Sequence, residues 1–358
     1  MSRRGGAPAA TVLALAFAFA LALTSVLSFQ ATATPDRALS FSAPDSSDTS
    51  AVAELKREAV AISGLFSSPL VHGFLEAVNR LPQIETRTVH HDTARTRYYD
   101  AKAFAALPET ARVRLVTRKL DDGFYYYTRY GTPLAYSRAL EILSANGFGD
   151  ARGKRVLDFG YGGIGQLRLL ATLGADAVGV EVDPLLVALY SAPGDQGSIG
   201  SQGGKVTLVH GRWPAEESAR RGVGGGYDVF VSKNTLKRGY IHPERPVDKR
   251  MLVDLGVSDS AYARALAELL KPGGLALIYN LSPARSKPDE PYRPWTDGRC
   301  PFPRELLEQA GFTVIAYDVD DSGPAREMGR ALGGDRGRGA MDLTNDLFGT
   351  YTLVRRSR

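Results

Sequence analysis

A glycine-rich stretch directly after a short apolar strand constrains the fold of this chain more than any other feature. Residues 156–165 read VLDFGYGGIG, and an apolar helical pattern follows from Gln166 to Leu173. A strand that enters a glycine loop and opens a helix brings backbone N–H groups close to a ligand. Strand and helix patterns alternate from Lys154 onward, which predicts an α/β fold with a mostly parallel, doubly wound sheet.

A carboxylate stands at the end of the next predicted strand, about 20 residues after the glycine loop. This residue is Glu181, and the strand runs from Ala177 to Val182. Ligands of doubly wound sheets bind at the carboxyl ends of the strands, where a carboxylate can accept hydrogen bonds from two ribose hydroxyls. The pattern therefore predicts a ligand that contains adenosine.

The loop allows two ligand classes. Its glycines Gly160, Gly162 and Gly165 satisfy the dinucleotide pattern G-x-G-x-x-G. However, Asp158 stands two residues before the first of them. A carboxylate repels a pyrophosphate and attracts a cation, which favours S-adenosylmethionine with its sulfonium and ammonium groups. A nicotinamide-dependent oxidoreductase remains the enzymatic alternative.

Residues 151–356 resemble the class I S-adenosylmethionine-dependent methyltransferase family. The motifs that carry the resemblance are VLDFGYGGIG, GVEVDP, LLKPGG, RELLEQAGFTVIAYDV and the final TYTLVR. The resemblance implies a Rossmann-like sheet of seven strands with an antiparallel last strand, S-adenosyl-L-methionine as cofactor, and Glu181 as the ribose ligand. It implies methyl transfer to an acceptor, either a small molecule or a protein, that no motif identifies.

The predicted cofactor-binding residues are Asp158, Gly160, Gly162, Gly165, Glu181, Arg212 and Trp213. Two positions depart from the family pattern. Ile164 takes the place of the third glycine, and Arg212 takes the place of an acidic residue near the adenine. Trp213 can stack on the base, although a tryptophan of this kind more often packs in the interior. Because Arg212 alters the turn expected near the adenine, a third hypothesis stays open. In this hypothesis the chain is a catalytically inactive, methyltransferase-like binding or scaffold protein.

The loop after the fourth predicted strand, Ser232 to His242, is where the family places residues that face the acceptor. We expect Asn234 to hold the acceptor and Tyr240 or His242 to act as a general base. The cations Lys233, Lys237 and Arg238 suit an acidic substrate. For each of these residues considered alone, the simpler interpretation is that it belongs to a solvated, basic loop.

The N-terminal part of the body, residues 51–150, has a different pattern and predicts an α+β cap. A hairpin is expected there, with strands Val113 to Leu120 and Phe124 to Tyr130 around Asp121-Asp122-Gly123. Residues 151–358 form the predicted cofactor-binding domain.

The first 34 residues are typical of a secretory signal peptide. Arg3 and Arg4 precede an apolar stretch, and Ala31-Thr32-Ala33 resembles a cleavage site. The alternative is an uncleaved anchor, with membrane association through residues 9–29, and residues 35–50 are a predicted linker. We therefore expect an exported or membrane-anchored protein. S-adenosylmethionine is made inside cells, which keeps a cytoplasmic location as the alternative.

Composition excludes other classes of site. The single Cys300 excludes an intrachain disulfide framework and a cysteine-based zinc site, and we predict no metal. The formal net charge is +5, but no Lys/Arg block is interleaved with aromatic residues, so no nucleic-acid partner is expected.

Overall fold

The computed structural model describes residues 50–128, 131–337 and 339–358. The predictions for residues 1–34, and for all of the linker except Ser50, lie outside these ranges and stay predictions. Within these ranges, no helix has both the length and the apolar character needed to cross a bilayer.

Helices cover both faces of the central sheet and build much of the cap. In chain order they are α1 Ala51–Ser63, α2 Pro69–Glu76, α3 Ala101–Ala105, α4 Glu109–Arg112, α5 Asp122–Tyr127, α6 Ser137–Ala145, α7 Gly165–Thr172, α8 Pro184–Leu189, α9 Glu217–Val223, α10 Arg238–Ile241, α11 Asp259–Leu269, α12 Arg304–Gln309, α13 Ser322–Ala331 and α14 Leu343–Asp346. Short 3-10 helices lie at Ala77–Arg80, Pro133–Tyr136, Lys249–Met251 and Pro294–Thr296.

The strands form two sheets. They are β1 Arg87–His91, β2 Tyr98–Tyr99, β3 Val116–Leu120, β4 Arg155–Phe159, β5 Asp176–Glu181, β6 Gly197–Ile199, β7 Gly204–His210, β8 Tyr227–Lys233, β9 Leu270–Ser282, β10 Phe312–Asp320 and β11 Phe348–Arg356. The small sheet has the order β2-β1-β3, and the large sheet has the order β10-β11-β9-β8-β4-β5-β7-β6.

The large sheet confirms the predicted Rossmann-like fold. Strands β4, β5, β7, β8 and β9 are parallel, and β11 lies antiparallel between β9 and β10. The strand order reverses between β4 and β8, which is where ligands of such sheets bind. The sheet has one more strand than the predicted seven, because Gly197–Ile199 pairs antiparallel with the edge strand β7. Three residues are too few to show a hydrophobic period, which is why the sequence did not reveal this strand.

The central strands are buried on both faces, so their side chains alternate between two hydrophobic clusters. Val156 and Val229 belong to the cluster that also contains the cap residues. Their neighbours Leu157 and Phe230 belong to the cluster on the opposite face. Because residues from the cap and from the large sheet share the first cluster, the two parts are packed around a common core.

The predicted hairpin in the cap is wrong. Strand β3 forms over Val116–Leu120, shorter than the predicted Val113 to Leu120, and its partner is β1, with His91 opposite Val116. Residues Asp122–Tyr127 form helix α5 instead of a strand. The Asp121 carboxylate accepts a hydrogen bond from the backbone N–H of Phe124 at 2.7 Å and so caps this helix. A local cap therefore outweighs the strand preference of the tyrosines that follow.

A partly buried ion pair connects the cap to the C-terminal half. Arg138 on α6 donates from Nε to Oδ2 of Asp321 at 2.8 Å and from Nη2 to Oδ1 at 2.6 Å. The hydroxyl of Tyr279 donates to the same carboxylate at 2.9 Å. Asp321 is buried, so these donors replace the water that its carboxylate would otherwise contact.

We predict that Asp321→Asn lowers the free energy of unfolding by about 3 kcal/mol, because it leaves the Arg138 guanidinium without its counter-charge. Urea unfolding at neutral pH measures this. The control is Asp335→Asn, whose partners are exposed arginines at 3.6 and 3.9 Å, and which we expect to change stability by less than about 0.5 kcal/mol. Equal effects of the two changes would contradict the role given to Arg138.

Candidate active site

The glycine loop follows β4 and lies at the point where the strand order reverses. Gly160 and Gly162 have φ angles of +72° and +58°, a region that side chains disfavour. A Cβ on Gly160 would overlap the hydroxyl of Thr235, which follows β8. Glycine at position 160 therefore lets the ends of β4 and β8 approach each other.

The other two glycines of the loop lie against the cap. A Cβ on Gly163 would meet Cγ2 of Thr128 at 3.3 Å, and one on Gly165 would meet Cβ of Pro133 at 2.9 Å. The missing side chains thus let a cap segment rest on the loop. The sequence assigned Gly165 to cofactor binding, and the structure places it beneath Pro133.

Asp158, at the end of β4, is almost completely buried, with 2% of its surface exposed. Its Oδ1 accepts a hydrogen bond from the Tyr136 hydroxyl at 3.1 Å, and its Oδ2 accepts one from Gln166 Nε2 at 3.0 Å. Burial raises the pKa of Asp158 to about 6, although both donors and the charge of Lys233 act in the opposite direction. Each oxygen of the carboxylate thus has one donor, and burial still disfavours its ionised form.

Glu181 occupies the same edge, at the end of the neighbouring strand β5. Its carboxylate accepts a hydrogen bond from the Val182 backbone N–H at 2.7 Å, and the backbone N–H groups of Gly162 and Asp183 also point to it. Burial and the nearby Asp183 raise the pKa of Glu181 to about 7. Glu181, the residue predicted to bind the ribose, is thus hydrogen-bonded to the glycine loop. Val182, directly after β5, leaves 42% of its surface exposed.

Lys233 and Lys237 have different environments. The Lys233 ammonium lies 5.5 Å from the centroid of the Tyr136 ring, on the same side as Asp158. Burial lowers its pKa to about 8, against the attraction of Asp158. Lys237 is fully buried and donates to the carbonyl oxygens of Leu281 at 2.5 Å and Trp295 at 3.4 Å. Lys233 therefore faces the site, whereas Lys237 holds the end of β9.

Arg212 and Trp213, the two residues predicted near the adenine, lie in the turn that follows strand β7. Arg212 forms an ion pair with Asp254 at 3.0 Å. Trp213 is buried, and its ring centroid lies 5.4 Å from that of Tyr262 and 6.2 Å from that of Phe159. In this arrangement Trp213 packs beneath the site, and its stacking on a base stays a prediction that requires the ring to become exposed.

The three acceptor-side candidates also differ in accessibility. Asn234 has a φ of +65°, and its Oδ1 accepts a hydrogen bond from the Leu281 N–H at 2.7 Å, so it supports the end of β9. Tyr240 is buried. His242 is partly exposed, and its Nε2 lies 2.8 Å from Oδ2 of Asp259, at the start of α11. A carboxylate that orients an imidazole suits a general base, so His242 fits this role better than Tyr240.

The sequence did not reveal Tyr136 and Gln166 as the two donors to Asp158. Gln166 stands in the first turn of α7, directly after the loop, where its polar side chain within an apolar helix was an available signal. Tyr136 lies 22 residues before Asp158 in the cap, and no local pattern connects the two. Among the residues that the structure describes, no cluster of metal-ligating side chains occurs.

Solved structures with a similar fold include methyltransferases. A sarcosine dimethylglycine methyltransferase of Galdieria sulphuraria, described as putative, is 15% identical, with 64% of this chain and 87% of that chain covered and a TM-score of 0.37. Phosphoethanolamine N-methyltransferase 2 of Haemonchus contortus, in complex with S-adenosyl-L-methionine, is 13% identical, with 80% and 74% covered and a TM-score of 0.39. An S-adenosylmethionine-dependent methyltransferase of Mesorhizobium loti is 14% identical, with 62% and 98% covered and a TM-score of 0.37.

In its sequence motifs the chain resembles class I S-adenosylmethionine-dependent methyltransferases, and its large sheet has the Rossmann-like order that this resemblance implied. No protein-family profile matches the chain, and no curated protein sequence matches it. The structural likeness, with identities of about 15% and TM-scores below 0.5, does not assign an activity.

We predict that Gly160→Ala destabilises the protein by about 3 kcal/mol, because strain at positive φ adds to the overlap with Thr235. The matched control is Gly153→Ala, where φ is +66° but a Cβ would meet nothing within 4 Å, and where a cost of about 1 kcal/mol is expected. Chemical denaturation compares the two variants. If both lost the same stability, the close approach of β4 and β8 at Gly160 would be disproved.

Proposed function

We propose that this chain is an S-adenosylmethionine-dependent methyltransferase. The observation that carries the proposal is the Glu181 carboxylate, which lies at the end of β5 beside the glycine loop, where the strand order reverses. A carboxylate at this edge of the sheet can accept hydrogen bonds from ribose hydroxyls, and its negative charge strengthens these bonds. The half-exposed side chain of Val182 next to it offers an apolar surface for the adenine.

The charges at the site fit this cofactor better than a dinucleotide. Asp158 and Glu181 end neighbouring parallel strands, and burial disfavours the ionised form of both. A ligand that carries a sulfonium and an ammonium group would restore their ionisation. A pyrophosphate over the same loop would instead add negative charge beside Asp158.

When bound, the cofactor supplies an electrophilic methyl group. The chain's own residues would hold and shield it. Asp158, fixed by Tyr136 and Gln166, would bind the cationic end, and the cap segment over Gly165 would keep water from the loop. Holding donor and acceptor in line at short distance would then provide most of the rate acceleration.

An acceptor that must lose a proton needs a base at the same edge of the sheet. His242 would accept this proton, with Asp259 stabilising the imidazolium. Lys233 would face the acceptor as a cation or, because burial lowers its pKa to about 8, as a neutral amine in mildly alkaline solution. The acceptor of the methyl group is either a small molecule or a protein.

One feature favours a second candidate, a binding or scaffold protein without activity. Both oxygens of Asp158 already accept hydrogen bonds from the chain's own side chains. A carboxylate satisfied in this way would stabilise the fold without a cofactor, so binding has to be measured directly.

Calorimetric titration of the full chain with S-adenosylhomocysteine, in parallel with NAD, tests the proposal. We expect S-adenosylhomocysteine to bind and NAD not to bind. Glu181→Gln should weaken S-adenosylhomocysteine at least about tenfold, because hydrogen bonds to a charged acceptor contribute about 1.5–3 kcal/mol. Glu268→Gln, at an exposed position on α11, is the matched control and should bind as the wild type does.

Three results would contradict the proposal. Binding of NAD alone would identify a nicotinamide-dependent protein. Binding of neither compound by a folded chain would favour the scaffold. Unchanged binding by Glu181→Gln would separate the ligand from the predicted ribose site. Circular dichroism verifies folding, and the variant should not be less stable at pH 8, because burial raises the pKa of Glu181 to about 7 in the free protein.

A further inference from the structure

The cap sheet has one end that carries no part of the candidate site. Strand β1 ends at His91, which pairs with Val116, the first residue of β3. The turn of residues 92–97 and the segment of residues 112–116 therefore lie side by side at this end. We call these two segments the cap tip.

The cap tip is positively charged. It contains four arginines, Arg95, Arg97, Arg112 and Arg114, and one acidic residue, Asp92. Asp92 accepts hydrogen bonds from the backbone N–H and the hydroxyl of Thr96, both at 2.7 Å, and pairs with Arg97 at 3.4 Å. Arg95 and Arg114 are exposed, and neither forms an ion pair within the described ranges. The tip thus presents a net charge of 4 − 1 = +3 to its surroundings.

The same tip exposes apolar surface. Val113 leaves 74% of its surface exposed, and Val116 leaves 47%. The two segments, DTARTR and RVRLV, contain no aromatic residue on which a nucleic-acid base could stack. Arginines combined with exposed aliphatic side chains are instead typical of a protein surface that meets anionic lipid head groups.

The position of the tip is compatible with the apolar N-terminal stretch. The Ala51 N–H donates to the carboxylate of Asp122 at 2.8 Å, so the described chain starts near the opposite end of β3. That strand has five residues, which corresponds to about 17 Å. Residues 30–49 can span at most about 70 Å. The apolar residues 11–29 and the cap tip can therefore reach one bilayer at the same time.

We propose that the cap tip is a docking surface for a membrane that contains anionic lipids. The arginines attract the head groups, and Val113 and Val116 enter the interface. This contact adds to whatever attachment residues 9–29 provide, and it does not depend on the proposed methyl transfer. It would hold the cap at the membrane surface.

The test is co-sedimentation of the full chain with two kinds of vesicle, one of phosphatidylcholine and one of an equimolar mixture with phosphatidylglycerol. We expect the double variant Arg95→Glu/Arg114→Glu to lower partitioning onto the anionic vesicles at least about tenfold, since each cation near such a surface contributes about 1 kcal/mol. Partitioning onto phosphatidylcholine should change less than about twofold, because neutral lipids lack the attracting charge.

Matched control variants show whether a loss of vesicle binding comes from the cap tip itself, from the change in net charge, or from changing any exposed residue. Lys56→Glu/Arg264→Glu changes the net charge equally at exposed positions elsewhere and should keep binding to anionic vesicles. Val113→Ser should weaken that binding, whereas Val60→Ser, at a position 77% exposed on α1, should not. Circular dichroism melting verifies that all variants fold.

The proposal is overturned if the charge control weakens binding as much as the tip variant does, or if the wild type binds both vesicles equally at all salt concentrations. It is also overturned if the tip variant loses affinity only for a labelled RNA oligonucleotide, which would assign the surface to nucleic acid. Loss confined to the tip variant and to anionic vesicles supports it.

Discussion

The structure depends on close contacts between backbone segments at one glycine loop. Gly160 allows the ends of β4 and β8 to meet, and Gly165 allows the cap to rest on the start of α7. No side chain larger than hydrogen fits at either position without displacing a neighbour. This constraint places the cap, the sheet and the segment after β8 around one point, and it locates the candidate site there.

Two carboxylates at that point are kept in an unfavourable state. Burial raises the pKa of both Asp158 and Glu181 in the free protein, and Lys233 offsets this only partly, and only at Asp158. A fold that needed these groups for stability alone would pair them with cations at short distance, as Asp321 is paired with Arg138. This contrast supports the proposal that the two acids bind a ligand with positive charge.

The sequence predicted the central sheet because its signals are local and strong. The glycine loop and the apolar strands each act within a few residues. The start of α8 is equally local, since the Asp183 carboxylate accepts a hydrogen bond from the Leu185 N–H. The failures have physical reasons as well. The tyrosines after Asp121 read as a strand, but a single helix cap decided their structure. Strand β6 has only three residues, too few to show a hydrophobic period.

The candidate site was predictable only where its residues stand next to the motif. Asp158 and Glu181 follow from the strand–loop pattern, whereas Tyr136 reaches Asp158 across the cap, and only packing brings the two together. For the same reason, the sequence could not show that Lys233 faces the site while Lys237 is buried in the neighbouring wall. The two lysines, four residues apart, thus differ in their partners: Lys233 lies near the Tyr136 ring, whereas Lys237 donates to the carbonyl oxygens of Leu281 and Trp295.

A crystal structure of the protein grown with S-adenosylhomocysteine is the most direct test of this account. We predict density for the ligand over the glycine loop, with its ribose hydroxyls within hydrogen-bond distance of the Glu181 carboxylate and its amino group on the side of Asp158. Ligand bound away from β4 and β5, or an empty loop at saturating ligand in a well-ordered crystal, would contradict the account.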